Sequence, residues 1–333
     1  MIDNLVKNKK VALVFSDPAG AKAMIAISKK YTHNDMTILL SDRSYPFYKD
    51  MNADVIIIKD ENDFFLALDS FNPQVILTGT SMPVSIELKG LRYAKKNNIQ
   101  SASFIDHWTN IKMRFIDKDD VLILPDAIFV INQKAYDLAI KDELPEQRLS
   151  ITSNPYYEWL ASWRPDKDRA AIYALLKLEQ DKQYIVYAPE PLAKFNLDVK
   201  YGFNEYDGLK EIDQVISAQS QNSIKKTVLV YKLHPNVTKK EVYNSIKLYL
   251  GIFPEYIKIV SNIDLNHLAY YSSGVFGFFS NSLIETSRIG VPVYRVVYKL
   301  MNIEDDPLLG LDIGEKVDSY KKLNEVIYQI LNK

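Results

Sequence analysis

Short apolar runs rich in β-branched residues recur along the chain, and segments of helical period separate them. In the first half the strand candidates are "KVALVFS" (10–16), "MTILLS" (36–41), "DVIIIK" (54–59), "QVILTG" (74–79), "SASFID" (101–106) and "AIFVIN" (127–132). Amphipathic stretches at 20–31, 45–51, 61–70, 83–97 and 133–141 alternate with them. The rhythm restarts after "SWRPDKDR", with strands predicted at 183–191, 227–235, 256–262, 274–282 and 291–297. Helices are predicted at 167–179, 206–219, 237–249, 263–271, 282–289 and 319–332. Strands that are apolar on both faces and separated by helices imply parallel sheets covered on each side. The chain therefore reads as α/β, with two doubly wound Rossmann-like domains at 1–163 and 164–333 and the polar, proline-bearing "SWRPDKDR" as hinge. Ligands of open α/β sheets bind at the carboxyl ends of the strands, so an interdomain cleft lined by strand ends is expected.

Length and composition narrow the classes. At 333 residues, 47% apolar and 25% charged, the chain has room for two ordinary globular cores. A formal charge of −1 gives no basic excess for nucleic acid. The absence of cysteine removes disulfides, thiolate metal sites and cysteine nucleophiles, and fits a reducing cytoplasm. The first apolar run stops at Asp17, too early for a signal peptide, and no stretch reaches the length of a membrane span.

The chemistry-bearing residues cluster at the predicted strand ends. "SDPAGAKA" places Asp17 and Gly20 after the first strand, where Gly20 either makes the turn alone or opens a helix N-terminus to a phosphate or sugar oxygen. This is not the G-x-G-x-x-G dinucleotide fingerprint. "FIDHWTNIKMRF" ends the fifth strand with Asp106, His107, Trp108 and Arg114. Asp106 is a candidate base for an acceptor hydroxyl, and Trp108 a stacking surface. His107 reads either as catalytic or as a hydrogen-bonded structural histidine. Glu190 stands between two prolines in "YAPEPL", positioned for chemistry or simply a charged loop residue. "VLVYKLHPNV" ends in His234 and Pro235, and the proline holds the histidine extended. "SNSLIE" places Ser280, Asn281 and Ser282 at a helix start, with Glu285 one turn in. That start is an anion site, a capping box of Ser282 with Glu285, or both.

Taken together, the two-domain rhythm, "KLHP" and "SNSLIE…GVP" resemble the GT-B glycosyltransferase superfamily, within it the bacterial sialyl-, polysialyl- and Kdo-transferases and the CDP-glycerol-dependent polymerases. That resemblance implies an enzyme moving a sugar from a CMP-activated donor to a surface-polysaccharide or glycolipid acceptor. The donor would be held by His234, Pro235, Ser280, Asn281, Ser282 and Glu285 in a C-terminal donor domain. Asp17, Gly20, His107, Trp108 and Arg114 would face the acceptor in the N-terminal domain. Asp106, His234 and Glu190 would be catalytic, with no metal or other cofactor. It further implies a cytoplasmic protein at the inner membrane face, associated with the membrane or with a polysaccharide assembly complex, and no nucleic-acid partner. The transferases' acidic motif has only a near miss, "EYDG" at 205–208, in the other domain.

The same stretches are similar to the non-hydrolysing UDP-GlcNAc 2-epimerases. Their catalytic aspartate, in a Gly-Asp-Thr setting after the fourth strand, is met here by Gly79-Thr80-Ser81, and their glycine pair by Asn281-Ser282. Because epimerisation must remove and return a proton at C2, that missing carboxylate argues for the transferase. A third reading is a catalytically silent GT-B module that binds a glycan or a partner enzyme.

Overall fold

The computed structural model describes residues 2–31, 35–41, 55–83, 85–218 and 227–332; the helix expected at 45–51 lies outside them. The chain divides into two compact units, Met1–Trp159 and Leu160–Lys333.

The first unit carries β1 (Val11–Phe15), β2 (Met36–Ser41), β3 (Ile56–Ile58), β4 (Val75–Thr78), β5 (Gln100–Ile105), β6 (Ala127–Val130) and β7 (Leu149–Ile151). They form one sheet in the order β3-β2-β1-β4-β5-β6-β7, every described pairing parallel. Every residue of β1 is buried, which a half-solvated strand could not be. Its side chains alternate between two cores. Val11, Leu13 and Phe15 pack with Met24, Ile25 and Phe104, while Ala12 and Val14 pack with Phe64, Leu68 and Ile76. Helices cover both faces, and local chemistry sets their ends. Asp60 caps Glu61–Phe71 through the Asp63 amide, and Asn132 caps Gln133–Lys141 through the Ala135 amide.

The second unit carries β8 (Gln183–Tyr187), β9 (Thr227–Lys232), β10 (Ile257–Val260), β11 (Val275–Gly277), β12 (Val293–Val296) and β13 (Glu315–Val317). The sheet order is β10-β9-β8-β11-β12-β13, again parallel throughout. In each sheet the order reverses beside its first strand, between β1 and β4 in one and between β8 and β11 in the other. A doubly wound sheet opens a crevice for ligands at that point.

Several expectations change. "EYDG" is not an acidic catalytic motif: it opens the helix Glu205–Ser217, where Asp207 and Asn204 form a reciprocal capping box. Gly208 is there because a Cβ would meet Tyr187 Oη at 2.7 Å and Phe278 at 2.9 Å. The polar segment expected as a hinge is held down onto the second unit. Asp166 lies 2.6 Å from His267 Nε2, Trp163 packs edge-on against the His267 ring, and Tyr271 donates to the Lys167 carbonyl. Edge strands β7 and β13 and the helix Pro155–Ser162 were not anticipated.

Candidate functional site

In the first unit the ends of β1, β4 and β5 are knitted by buried ionisable groups. Asp106 follows β5 directly and is 8% exposed. Its Oδ1 has no hydrogen-bond partner and lies 3.7 Å from Arg114 Nη1. Burial pushes its carboxyl up to about 6; Arg114 pulls the other way, while Asp17 and Glu87 add to the rise. Arg114 is itself buried, donating to Thr80 Oγ1 (3.2 Å) and to the Thr109 carbonyl (3.3 Å). Glu87, in the first turn of the helix Ile86–Asn97, was not among the sequence candidates. Its carboxylate accepts the Ser16 N–H (2.7 Å), the Ser16 hydroxyl (2.8 Å) and the Ser81 hydroxyl (3.0 Å). Burial raises its pKa, against those three donors. Glu87 thus brings a carboxylate to the loop after β4, where the linear sequence offers only Thr80 and Ser81.

Asp17 stands just ahead of the helix Pro18–Lys30, and Gly20 lies inside that helix rather than in the turn. A Cβ on Gly20 would meet Gly79 Cα at 3.3 Å, and one on Gly79 would meet Gly20 Cα at 3.2 Å. The glycine allows a backbone-on-backbone approach between the helix and the β4 turn. His107 accepts the Thr109 N–H at Nδ1 (3.3 Å), so its neutral ring carries the proton on Nε2. Burial, then Arg114, holds its pKa down. Trp108, half-buried, packs against the core beside β6, and its indole N–H donates to Asn132 Oδ1 (3.0 Å).

In the second unit the crevice between β8 and β11 holds Glu190. Its Oε1 accepts the Phe279 N–H (3.1 Å), and Oε2 is closed off from solvent without a partner. Burial pushes this carboxyl up to about 7. Phe279 immediately precedes Ser280, the N-cap of the helix Asn281–Arg288, whose Oγ accepts the Ser282 N–H (3.2 Å) and contacts the Ser282 hydroxyl. The helix start therefore lies at Ser280. The expected capping box of Ser282 with Glu285 does not form, because Ser282 already sits in the first turn and Glu285 beyond it. Asn281, Ser282 and Glu285 are half-buried. His234 follows β9, accepting the Asn236 N–H at Nδ1 (3.2 Å), which leaves Nε2–H as a donor; Pro235 is exposed. Burial, then Lys232, lowers the His234 pKa. Among the described residues no group of three His, Asp or Glu side chains is placed to hold a metal ion.

No family model matches the chain, and no curated protein matches it by sequence. Solved structures do. The chain is similar to UDP-GlcNAc 2-epimerase from Methanocaldococcus jannaschii, at 16% identity and a TM-score of 0.64, covering 97% of this chain and 93% of that one. It is similar to a further UDP-N-acetylglucosamine 2-epimerase at 14% identity and a TM-score of 0.66, covering 98% and 88%. Anabaena Alr3699/HepE, solved with UDP and glucose, matches at 12% identity and a TM-score of 0.62, covering 98% and 90%. The fold is of the GT-B type. The expectation of a CMP-sugar glycosyltransferase is overturned by these matches, whose names are UDP-GlcNAc 2-epimerases and a UDP-bound chain. The physical reason lies in the motif. "HP" ends a strand and "SNS" starts a helix, and neither feature carries information about the nucleotide base. Among the described residues no helix is long and apolar enough to cross a membrane.

Proposed function

We propose that this chain is an enzyme of the UDP-GlcNAc 2-epimerase type, acting on a UDP-activated N-acetylhexosamine. The observation that carries this reading is Asp106, a buried carboxyl whose Oδ1 accepts no hydrogen bond, raised to about 6. Epimerisation at C2 requires one proton to leave and one to return on the opposite face, and a carboxyl poised near neutrality serves either role. Arg114, 3.7 Å away, steadies the ionised form once the proton has moved. The fold shared with UDP-GlcNAc 2-epimerases supports the substrate class. Glu87 brings a carboxylate to the turn that carries Thr80 and Ser81, but its three donors hold it there as a fastening, so the proton transfer falls to Asp106. In the second unit the helix N-terminus at Ser280–Ser282 and the Nε2–H of His234 suit a diphosphate, by hydrogen bonding and by the positive end of the helix dipole. Glu285 would hold a ribose hydroxyl.

The test is to incubate UDP-GlcNAc with the protein in deuterated water. Deuterium is expected at C2, and Asp106→Asn, which keeps the shape but cannot take the proton, is expected to lower the exchange rate by about 10²–10⁴-fold. Binding of UDP-GlcNAc with no deuterium at C2 would remove the epimerase reading.

A further inference from the structure

The crevice between β8 and β11 poses an electrostatic problem. Glu190 meets Phe279, the residue just before the Ser280 N-cap, so its carboxyl borders the helix N-terminus assigned above to the diphosphate. Its second oxygen is buried and empty-handed. Among the described residues, the cation that acts on this carboxyl, Arg295, is already engaged. Arg295, on β12, is committed to Asp306, its Nη2 donating to both carboxylate oxygens at 2.5 Å, and its Nε donates to the Phe278 carbonyl at 3.1 Å. Glu205, on the helix Glu205–Ser217, adds a second buried carboxyl, which accepts the Ala193 N–H at 2.9 Å. Beneath them Tyr187 donates its hydroxyl to the Glu205 carbonyl (2.6 Å). Lys194, on the same loop, pairs with Glu241. An ionised Glu190, offset only in part by the already engaged Arg295, would therefore face an incoming phosphate as a like charge.

We propose that Glu190 binds the nucleotide diphosphate as a neutral carboxylic acid: its carboxyl turns Oε2 out of the closed position as the phosphate arrives, takes one proton from solvent and donates it from Oε2 to a phosphate oxygen. The proposal rests on the reading of Ser280–Ser282 as the diphosphate site. The existing bond favours this assignment of oxygens, because Oε1 keeps the Phe279 N–H while Oε2 is the atom without a partner. Burial has already raised this carboxyl to about 7, so the proton is within reach at neutral pH. His234 is the competing proton acceptor. Its Nδ1 is occupied by the Asn236 N–H, and protonation there would break that bond. Glu190 consequently makes nucleotide binding a proton-coupled event and sets a preference for acceptor-rich groups at this point.

The experiment is calorimetric titration of the full chain with UDP-GlcNAc, a diphosphate diester with no titrating phosphate proton near neutrality, in buffers of different ionisation heat. At about pH 8 binding should take up close to one proton, and affinity should fall about tenfold per pH unit above about 7. Glu190→Gln, whose amide can still donate, should bind without proton uptake and with flat affinity across that range. Its melting curve serves as the folding control. If the variant fails to fold, the wild-type uptake and pH slope decide alone. Binding by the wild type with no uptake and no pH slope would overturn the proposal and leave the diphosphate site standing. Uptake that survives Glu190→Gln but vanishes in His234→Gln would transfer the role to the histidine and overturn it equally. Absence of any binding would remove the diphosphate site itself, and the proposal with it.

Discussion

Each unit sets a glutamate across the crevice of its sheet, Glu87 from the helix after β4 and Glu190 from the loop after β8, and the two are used differently. At the first unit's crevice Glu87 ties the end of β1 to the turn after β4, and three donors from Ser16 and Ser81 occupy its carboxylate. At the second unit's crevice Glu190 follows β8 and reaches across to the residues after β11, yet it holds a single backbone N–H and leaves one oxygen unpartnered. Both carboxyls are shifted upward by burial. The difference lies in donors. A saturated carboxylate is a fastening, and losing it strands buried groups; a half-used one keeps a position open for something that arrives later. The histidines do not differ in this way. His107 and His234 each turn Nδ1 to the N–H two residues on, and each presents Nε2–H.

The comparison breaks most readily through stability. Glu87→Ala strands the buried Ser16 amide and two hydroxyls, and should cost roughly 3 kcal/mol, the upper end for one unsatisfied buried group. Glu190→Ala loses one hydrogen bond and should cost about 1 kcal/mol. Urea unfolding of both variants measures the gap, and equal losses would erase the distinction between fastening and open position.

Binding sharpens it next. Ser280→Ala with Ser282→Ala removes hydroxyls at the helix start beside Glu190, and should weaken UDP-GlcNAc binding by about 1.5–3 kcal/mol, as for hydrogen bonds to a charged group. Loss of the Ser280 cap should separately lower stability by about 1 kcal/mol. A melting shift with unchanged affinity would confine these serines to capping.

The smallest effect is a pH dependence in the second unit alone. Asp264 first, then Asp166, raises the His267 pKa through hydrogen bonds, against burial. A raised histidine stabilises fully below its unfolded value of about 6.5, and that contribution is lost as pH rises through the folded value. The melting temperature should therefore slip slightly from pH about 6.5 upward, and His267→Asn should flatten that slope. Because Asp166 is exposed, the shift should be no more than a few degrees. An unchanged slope in the variant would place the titration elsewhere.

How far the sequence reveals this depends on what kind of signal each element carries. The inner strands are legible because burial on both faces demands apolar residues in succession, as in "VALVF" and "VILT". The edge strands are not. β13 has Glu315 and Lys316 exposed, pairs on one side only, and spans three residues, so "GEKVDS" looks like a loop. Positions right after a strand, such as Asp106, Glu190 and His234, can be located from the linear pattern because the topology fixes where strand ends lie. Glu87 cannot, since it reaches the crevice from a helix and its role is apparent only once Ser16, distant in sequence, is beside it. Trp108 shows what a strand-end position alone leaves out: its ring is half-buried against the core and its N–H is satisfied by Asn132.

The close approach of Gly20 and Gly79 limits the routes by which this chain can change over generations. Each glycine occupies the space that the other's side chain would need, so a first substitution at either position meets main chain, which cannot rotate aside. A second substitution at the partner adds to the crowding and gives no compensation, so each step out of this pair asks the main chain to give by a few tenths of an ångström. Forcing a methyl group between them would push the turn after β4 away from the helix Pro18–Lys30. That turn carries Thr80 and Ser81, on which Arg114 and Glu87 rest. Lineages descended from this sequence should therefore keep both glycines for as long as they keep the spacing of those two charged groups, and should lose them together when that spacing is no longer selected.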